Sequence, residues 1–322
     1  MRLLVTGGFG YIGGRLCEAL SNDPRFEMRV LSRRNPKPLA EWARSLPITQ
    51  ADVTQPQSLV GVCHGIDGVV HLASLDEVES MADPVRALNV NATGTYHLLE
   101  EALRAGVKRF IYFSTLRAYG DRLTGKLYEE LAPAPTHHYG ITHLAAEHYV
   151  RQAAASGKMR GISVRLTNAV GAPISPDVDR WNLVANDLCL QATTQGKITL
   201  RSPGLQHRDF IPISDVVDAV ALLLSVPDNQ VVYDLYNLGH GKSSSVRALA
   251  ELIQETAAEV LGELPVLEAP TPADGEVEHP LRVDISRMTR LGYHPRGDLK
   301  SELRRTLEIC REAFSTPASS QT

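Results

Sequence analysis

Short continuous apolar runs alternate along this chain with segments whose apolar residues repeat at helical spacing. Residues 2–5 open such a run, and Leu16, Ala19 and Leu20 then recur on one helix face. EMRVLS, ending at Ser32, predicts the next strand, and LPITQADVTQ predicts another that leads to Asp52. IDGVVHLAS is apolar nearly throughout, as suits a parallel strand covered on both faces. NATGTYHLLEEALRAGV predicts a helix stopped at Gly106, KRFIYFSTLRAYG a strand, and HHYGITHLAAEHYV a helix. Strands alternating with helices predict an α/β fold with a doubly wound parallel sheet.

After about residue 166 the rhythm changes. TNAVGAPISPDVDRWN is rich in Pro, Asp and Asn and reads as a substrate loop. LVANDLCLQATTQG predicts a helix and KITL a short strand. RDFIPISDVVDAVALLLSV returns to the first domain, with a helix beginning near Asp215. SVRALAELIQETAAEVLG is amphipathic, with Val246, Leu249, Ile253 and Ala257 on one face, and LKSELRRTLEICREAF is the last helix. STPASSQT, residues 315–322, reads as a disordered tail. The expected division is a sheet-forming domain at 1–166 with about 208–236, and a smaller C-terminal α/β lobe at about 167–207 with 237–314.

Composition adds exclusions. The 322 residues are 43% hydrophobic and 22% charged, ordinary for a globular protein, with a net charge of −4. No basic run suggests nucleic acid, and no apolar run approaches the length of a membrane span. The N-terminus shows no secretory pattern, and Cys17, Cys63, Cys189 and Cys310 form no Cys-x-x-Cys pair. A cytoplasmic protein with reduced cysteines is the expectation.

The first chemical signal is TGGFGYIGG. Gly7, Gly10 and Gly13 are spaced Gly-x-x-Gly-x-x-Gly, while Gly8, Gly10 and Gly13 satisfy Gly-x-Gly-x-x-Gly. Lying between a strand and a helix, either set suits a Rossmann-type pyrophosphate loop, with backbone N–H groups at the helix start binding the anion. A plain tight turn is the competing reading. At the end of the second strand an NAD-preferring fold usually places an acid; here Ser32, Arg33 and Arg34 follow. A serine and an arginine suit a 2′-phosphate, so the cofactor expectation is NADP or NAD, with NADP favoured. Solvated surface arginines are the alternative.

Taken together, these segments resemble the extended short-chain dehydrogenase/reductases, the NAD-dependent epimerase/dehydratase family, in its nucleotide-sugar epimerase-like branch. The resemblance rests on TGGFGYIG at 6–13, Asp52-Val53, VVHLAS at 69–74, NATGT at 91–95 and FSTLRAYG at 113–120. It continues through Tyr139 with its downstream LAAE, VRLTNAVGAP at 164–173, RDFIPISDVVDA at 208–219, YNLGHGKSSSV at 236–246 and DISRMTRLGYHP at 284–295. It implies that Gly7, Gly10, Tyr11, Ile12 and Gly13 hold the dinucleotide phosphates, with Ser32 and Arg33 at the adenosine ribose. Asp52 and Val53 would meet the adenine, and His71, Leu72 and Ala73 the nicotinamide side. Thr115 and Tyr139 would handle protons, and Arg117, Asn168 and Arg208 would face a sugar nucleotide. The residues admit plainer roles: Asp52 as a turn residue, Asn168 as a backbone cap, Arg208 paired with Asp209. The resemblance also implies a homodimer built on helices near 95–105 and 140–155.

The pattern departs from the family at residue 143. Tyrosine ionises near pH 10, so a tyrosine base needs a nearby cation. The family has lysine one turn after the tyrosine, where it also holds the nicotinamide ribose; here the place belongs to His143. Three readings follow: a protonated His143 does the lysine's work, Arg117 supplies the charge, or the site binds cofactor with little turnover. His137, His138, His143 and His148 lack the His-Glu-x-x-His spacing, which argues against a metal. Leu116 and Arg117 follow Thr115 where the family's 4,6-dehydratases have an Asp-Glu pair and its decarboxylases a nearby Glu, which disfavours both reactions. An Arg that many relatives carry near Ala273 is absent, with Arg282 the candidate replacement. The expectation is an epimerase working by transient hydride transfer, with a ketoreductase or a non-catalytic cofactor binder as alternatives.

Overall fold

The computed structural model describes residues 1–34, 43–44 and 46–314. The expected disordered tail at 315–322 lies outside the described residues. Seven parallel strands form the main sheet: β1 (Arg2–Thr6), β2 (Glu27–Ser32), β3 (Ile48–Gln50), β4 (Gly68–His71), β5 (Arg109–Thr115), β6 (Arg160–Leu166) and β7 (Leu235–Leu238). Their spatial order is β7-β6-β5-β4-β1-β2-β3, so the sequence order reverses between β1 and β4. That is the switch point at which open parallel sheets bind ligands beyond their strand ends.

The doubly wound arrangement follows from side chains alternating across each strand. Leu3 and Val5 enter one core cluster with Leu16, Leu20, Val216 and Leu223. Leu4 enters the other with Val69, Leu98, Phe110, Ala146 and Val150. Every residue of β5 is buried, as its apolar run demands. A third cluster makes the smaller lobe, where Leu188, Leu249, Ile253, Leu303 and Leu307 join the helices Val184–Gln195, Val246–Leu261 and Leu299–Phe314.

Several expectations change. The segment His207–Pro212 does not join the main sheet; it pairs with Asn168–Val170 and Ser243–Ser245 in a three-stranded sheet. The helix after it begins at Ile213, close to the start expected near Asp215. β7, Leu235–Leu238, lies across the approximate boundary at about 236. The helix Gly94–Ala105 ends at Gly106 (φ 75°), as expected, but a π-helical turn, Leu88–Thr93, precedes it. Asn91 in that turn points inward, accepting from Leu75 N at 2.8 Å and donating to Thr142 Oγ1 at 3.1 Å.

Candidate active site

A cleft of about 1010 Å³ opens at the switch point between the two lobes. On its floor Gly7, Gly10, Tyr11, Ile12 and Gly13 follow β1. Gly7 has φ 68°, and a Cβ there would lie 2.9 Å from the Leu72 carbonyl carbon. A Cβ on Gly13 would lie 2.1 Å from the Gly7 oxygen, so the turn tolerates no side chain there. Gly8 instead faces Val30 and Cys17 in the core, so the glycines on the cleft are the Gly-x-x-Gly-x-x-Gly set. The helix Tyr11–Ser21 starts with no side-chain cap and no acid in its first turn. His138–Ala155, Val246–Leu261 and Glu77–Ala82, in contrast, are capped by His137, Ser245 and Asp76. Uncapped N–H groups at the switch point fit a pyrophosphate.

The same helix is tied to the smaller lobe. Tyr11 Oη donates to Gly171 O at 2.8 Å, and Arg15 meets Glu302 through two 3.0 Å contacts, both side chains nearly buried.

The residues expected at the adenosine end lie outside this cleft. Ser32 Oγ donates to Arg34 O at 2.5 Å. The exposed Arg33 borders a separate recess with Thr54, Arg86 and His97. Asp52 Oδ1 accepts from Thr54 N and Oγ1 at 2.9 and 2.8 Å, the turn role foreseen as its alternative. Val53 is buried and packs where a Cβ on Gly94 would meet it at 2.7 Å. Leu72 and Ala73 line the cleft. His71 does not: it is fully buried, with Nδ1 2.6 Å from Thr6 Oγ1 and Nε2 3.0 Å from Thr95 Oγ1.

Thr115 and Tyr139 come together on the cleft wall, although 24 positions separate them in the chain. Thr115 ends β5 and its Oγ1 accepts from Arg117 N at 3.2 Å. Tyr139 stands in the first turn of the helix His138–Ala155. Burial pushes its pKa up to about 12; a hydrogen bond with Thr115 pulls it back, Glu77 and Asp76 raise it further, and Arg180 lowers it. At neutral pH the phenol therefore carries its proton.

His143 does not reach the cleft. It is buried beneath Tyr139, ring centroids 4.5 Å apart and edge to face. Tyr112 Oη lies 2.7 Å from His143 Nδ1, while Nε2 is buried with no hydrogen-bond partner. Burial pushes the imidazole pKa down to about 3. A protonated His143 replacing the lysine is therefore corrected: this enclosure strips its charge. Tyr112 was invisible as a partner because nothing in RFIYFST marks which buried tyrosine meets the helix.

The opposite wall carries Asn168 and Arg208. Arg208 forms no ion pair among the described residues; its Nη1 donates to Asn168 Oδ1 at 3.4 Å. The expected alternative, a pair with Asp209, is excluded because Asp209 accepts from Thr167, His240 and Gly241 instead. Burial and then the nearby Arg117 lower the Arg208 pKa, with Glu77 opposing them, and among the described residues no carboxylate pairs directly with this arginine on the cleft. Arg117 is already engaged, with Nε 3.4 Å from Glu77 Oε2 and Nη1 donating to Asp121 O at 2.9 Å. Arg282 is exposed on the strand Leu281–Val283 and does not line the cleft; His207 and His279 do.

Sequence reading missed Asp76, Glu77 and Arg180, all on the cleft. Their only signal was position: Asp76 and Glu77 follow the apolar run of β4, and Arg180 lies in the Pro-rich loop. The four histidines of the 137–148 segment do not converge, and no cluster of three metal-ligating side chains occurs among the described residues.

Residues 3–239 match the NAD dependent epimerase/dehydratase family. A UDP-glucose 4-epimerase of Azospirillum brasilense is 30% identical over 277 residues, 80% of this chain and 78% of that protein. A dTDP-D-glucose 4,6-dehydratase of Mus musculus is 27% identical over 328 residues, 97% of this chain and 89% of that protein. The solved structure of MoeE5 in complex with UDP-glucose and NAD superposes with a TM-score of 0.78 at 29% identity, covering 98% of this chain and 100% of that one. With a Rossmann-type sheet, an uncapped glycine turn at its switch point and a tyrosine beside it, this chain belongs to the NAD-dependent epimerase/dehydratase family.

Proposed function

We propose that this protein is a nucleotide-sugar epimerase that works with NAD. The observation that carries the reading is the Tyr139–Thr115 pair, set in the cleft between the glycine turn and Arg208, which has no ion pair among the described residues. NAD, when bound, supplies an acceptor and donor of hydride. Gly7, Gly10 and the first turn of the helix Tyr11–Ser21 hold its diphosphate, and Leu72 and Ala73 border its nicotinamide end. In its minority phenolate form, Tyr139 takes the proton of a sugar hydroxyl as that carbon is oxidised to the ketone, and the resulting phenol returns it when the ketone is reduced from its other face. Thr115 holds the shared proton in line. Arg208 and Asn168 hold the nucleotide diphosphate, and Arg117 borders the sugar.

NADP, favoured by Ser32-Arg33 in the sequence, lacks support among the relatives: MoeE5 is in complex with NAD. The Ser32 hydroxyl is also spent on Arg34 O. NAD is therefore the cofactor assigned. Copies of the chain pair through the helices Gly94–Ala105 and His138–Ala155, on which Tyr96, Ile141 and Tyr149 are exposed, the two tyrosine rings 5.1 Å apart. The compartment is the cytoplasm; among the described residues no helix is long and apolar enough to cross a membrane.

A second reading has one observation in its favour. With His143 neutral and Tyr139 held near 12, the site suits cofactor binding with slow turnover. The deciding experiment incubates the purified protein with a panel of UDP- and dTDP-sugars, without added cofactor, and follows epimer formation by NMR. Mass spectrometry of released small molecules runs alongside. Epimerisation with copurified NAD supports the proposal. Net consumption of added NADPH points to a ketoreductase, and bound NAD without any conversion supports the non-catalytic reading.

A further inference from the structure

Between the strands Val266–Glu268 and Leu281–Val283 the chain runs from residue 269 to residue 280 with neither helix nor strand, only an isolated bridge between His279 and Gln206. Connections in compact domains are commonly about 4–6 residues long, and longer ones are more often lids or binding loops than filler. Both roots of this segment are fixed. Val266–Glu268 pairs with Lys197–Thr199, and Leu281–Val283 pairs with Gly125–Leu127, where Gly125 N also donates to Pro280 O at 2.9 Å. Between the roots every residue from Thr271 to Pro280 is exposed, yet Glu276, Val277 and His279 line the cleft. They do so at the end where Gln206, His207 and Arg208 line it too, the end assigned to the nucleotide.

Little holds this flap down. Its tip closes on itself: Ala273 N donates to Glu276 Oε2 at 3.0 Å, Glu276 N donates to Ala273 O at 2.9 Å, and Gly275 takes φ 79° between them. Val277 stays 61% exposed. Among the described residues one side-chain contact fastens the tip to the protein beneath: His207 Nε2 donates to Glu278 Oε2 at 2.8 Å. The imidazole is itself held, with Nδ1 3.4 Å from Ser243 Oγ, while Ser243 donates to Leu281 O at the root of the flap. The Glu278 side chain is 50% exposed, so this contact breaks into water at small cost. The flap carries Asp274, Glu276 and Glu278 and no Lys or Arg. It therefore has no fixed cation of its own with which to fasten on a bound diphosphate.

We infer that residues 269–280 form a flap that gates the nucleotide end of the cleft, with Glu278 on His207 as its latch. The inference rests on the reading that a nucleotide diphosphate lies at Arg208. His207 immediately precedes Arg208 in the strand His207–Pro212, so the latch closes next to the arginine that would hold the diphosphate. The carboxylates of the flap and the charge of an entering diphosphate repel one another, which favours opening while the ligand passes. Breaking the latch speeds entry and release alike, and changes affinity less than either rate.

The test reads access to this end of the cleft in the empty, full-length protein. All four native cysteines are buried, so Leu205→Cys, next to Gln206, supplies one reactive thiol near the flap. Leu183→Cys supplies a control thiol elsewhere on the cleft. Reaction of each thiol with a chromogenic aromatic disulfide is timed. Glu278→Ala and His207→Ala should each speed labelling at position 205 about two- to fivefold, the range that a part-exposed charged contact supports. The double variant should be no faster than either single one, because both remove the same contact. Labelling at position 183 should not change. Equal rates at position 205 in all four proteins, additive effects in the double variant, or equal acceleration at position 183 would overturn the inference. UDP then serves as the probe ligand, and it should slow labelling at position 205 and leave Glu278→Ala faster than wild type. UDP that gives no protection and shows no binding would count against the nucleotide reading, while the labelling in the empty protein still decides whether the flap gates the cleft. UDP that protects, but leaves Glu278→Ala and wild type at equal rates, would overturn the gate.

Discussion

Tyr112 Oη lies 2.7 Å from His143 Nδ1, and that contact leaves His143 Nε2 buried and unpartnered one turn below Tyr139. The imidazole occupies the place of an activating cation but is held as a neutral, interior group, its pKa down at about 3. Wild-type activity should consequently show no limb from His143 between pH 5 and 8. Replacing it with lysine puts an ammonium one turn from Tyr139 and should shift the pH–rate profile toward acid. A wild-type rate that falls as pH rises through 6–7, and loses that fall in His143→Gln, would show that the histidine carries charge after all.

The same burial predicts acid sensitivity. His71 and His143 both have folded pKa values pushed down to about 3, His71 by burial first and then by His143. Unfolded histidine titrates near 6.5, so below that pH the unfolded chain binds protons that the folded one refuses. Stability is fully present above about pH 6.5 and falls as pH drops toward 3, by up to about 1.4 kcal/mol per pH unit for each histidine. Urea unfolding at pH 7, 6 and 5 checks this; the slope should shrink in His143→Gln.

Glu302 holds Arg15 in a nearly buried pair that joins the helix Tyr11–Ser21 to the last helix of the smaller lobe. Glu302→Ala leaves an uncompensated guanidinium and should cost about 3–5 kcal/mol of stability. A urea midpoint within error of wild type would show that the lobes do not depend on this tie.

Arg33 is the residue through which NADP use is testable. If a 2′-phosphate rests on it, Arg33→Ala weakens NADP binding by about 1.5–3 kcal/mol and NAD binding far less. The NAD assignment predicts instead that wild type prefers NAD and that Arg33→Ala changes its affinity little. Titration calorimetry with both dinucleotides separates the two.

Much of this molecule was legible in its sequence because parallel sheets write themselves plainly. The apolar runs at Leu3–Val5, Val69-Val70 and Phe110–Phe113 are buried on both faces, and Gly7 and Gly13 sit where only glycine fits. Thr115 and Tyr139 were found through family resemblance, and the fold brings them together. Neither Asp76 nor Arg180 could be read in advance, because an ion pair across a cleft joins positions 104 apart through no local pattern. His143 was legible as an anomaly but not as a neutral group, since its charge is set by packing against Tyr112 and Tyr139. The segment at His207–Pro212 was expected to return to the first domain, and its pairing with Asn168–Val170 in a separate sheet could not be read from its own apolar run.

Tyr139→Phe tests the central claim most directly, with turnover and dinucleotide affinity measured on the same preparation. The phenyl ring keeps the packing on His143 and loses only the hydroxyl that meets Thr115. Nucleotide-sugar conversion should be abolished while NAD affinity stays nearly unchanged. A Tyr139→Phe protein that converts the sugar as fast as wild type would contradict the account.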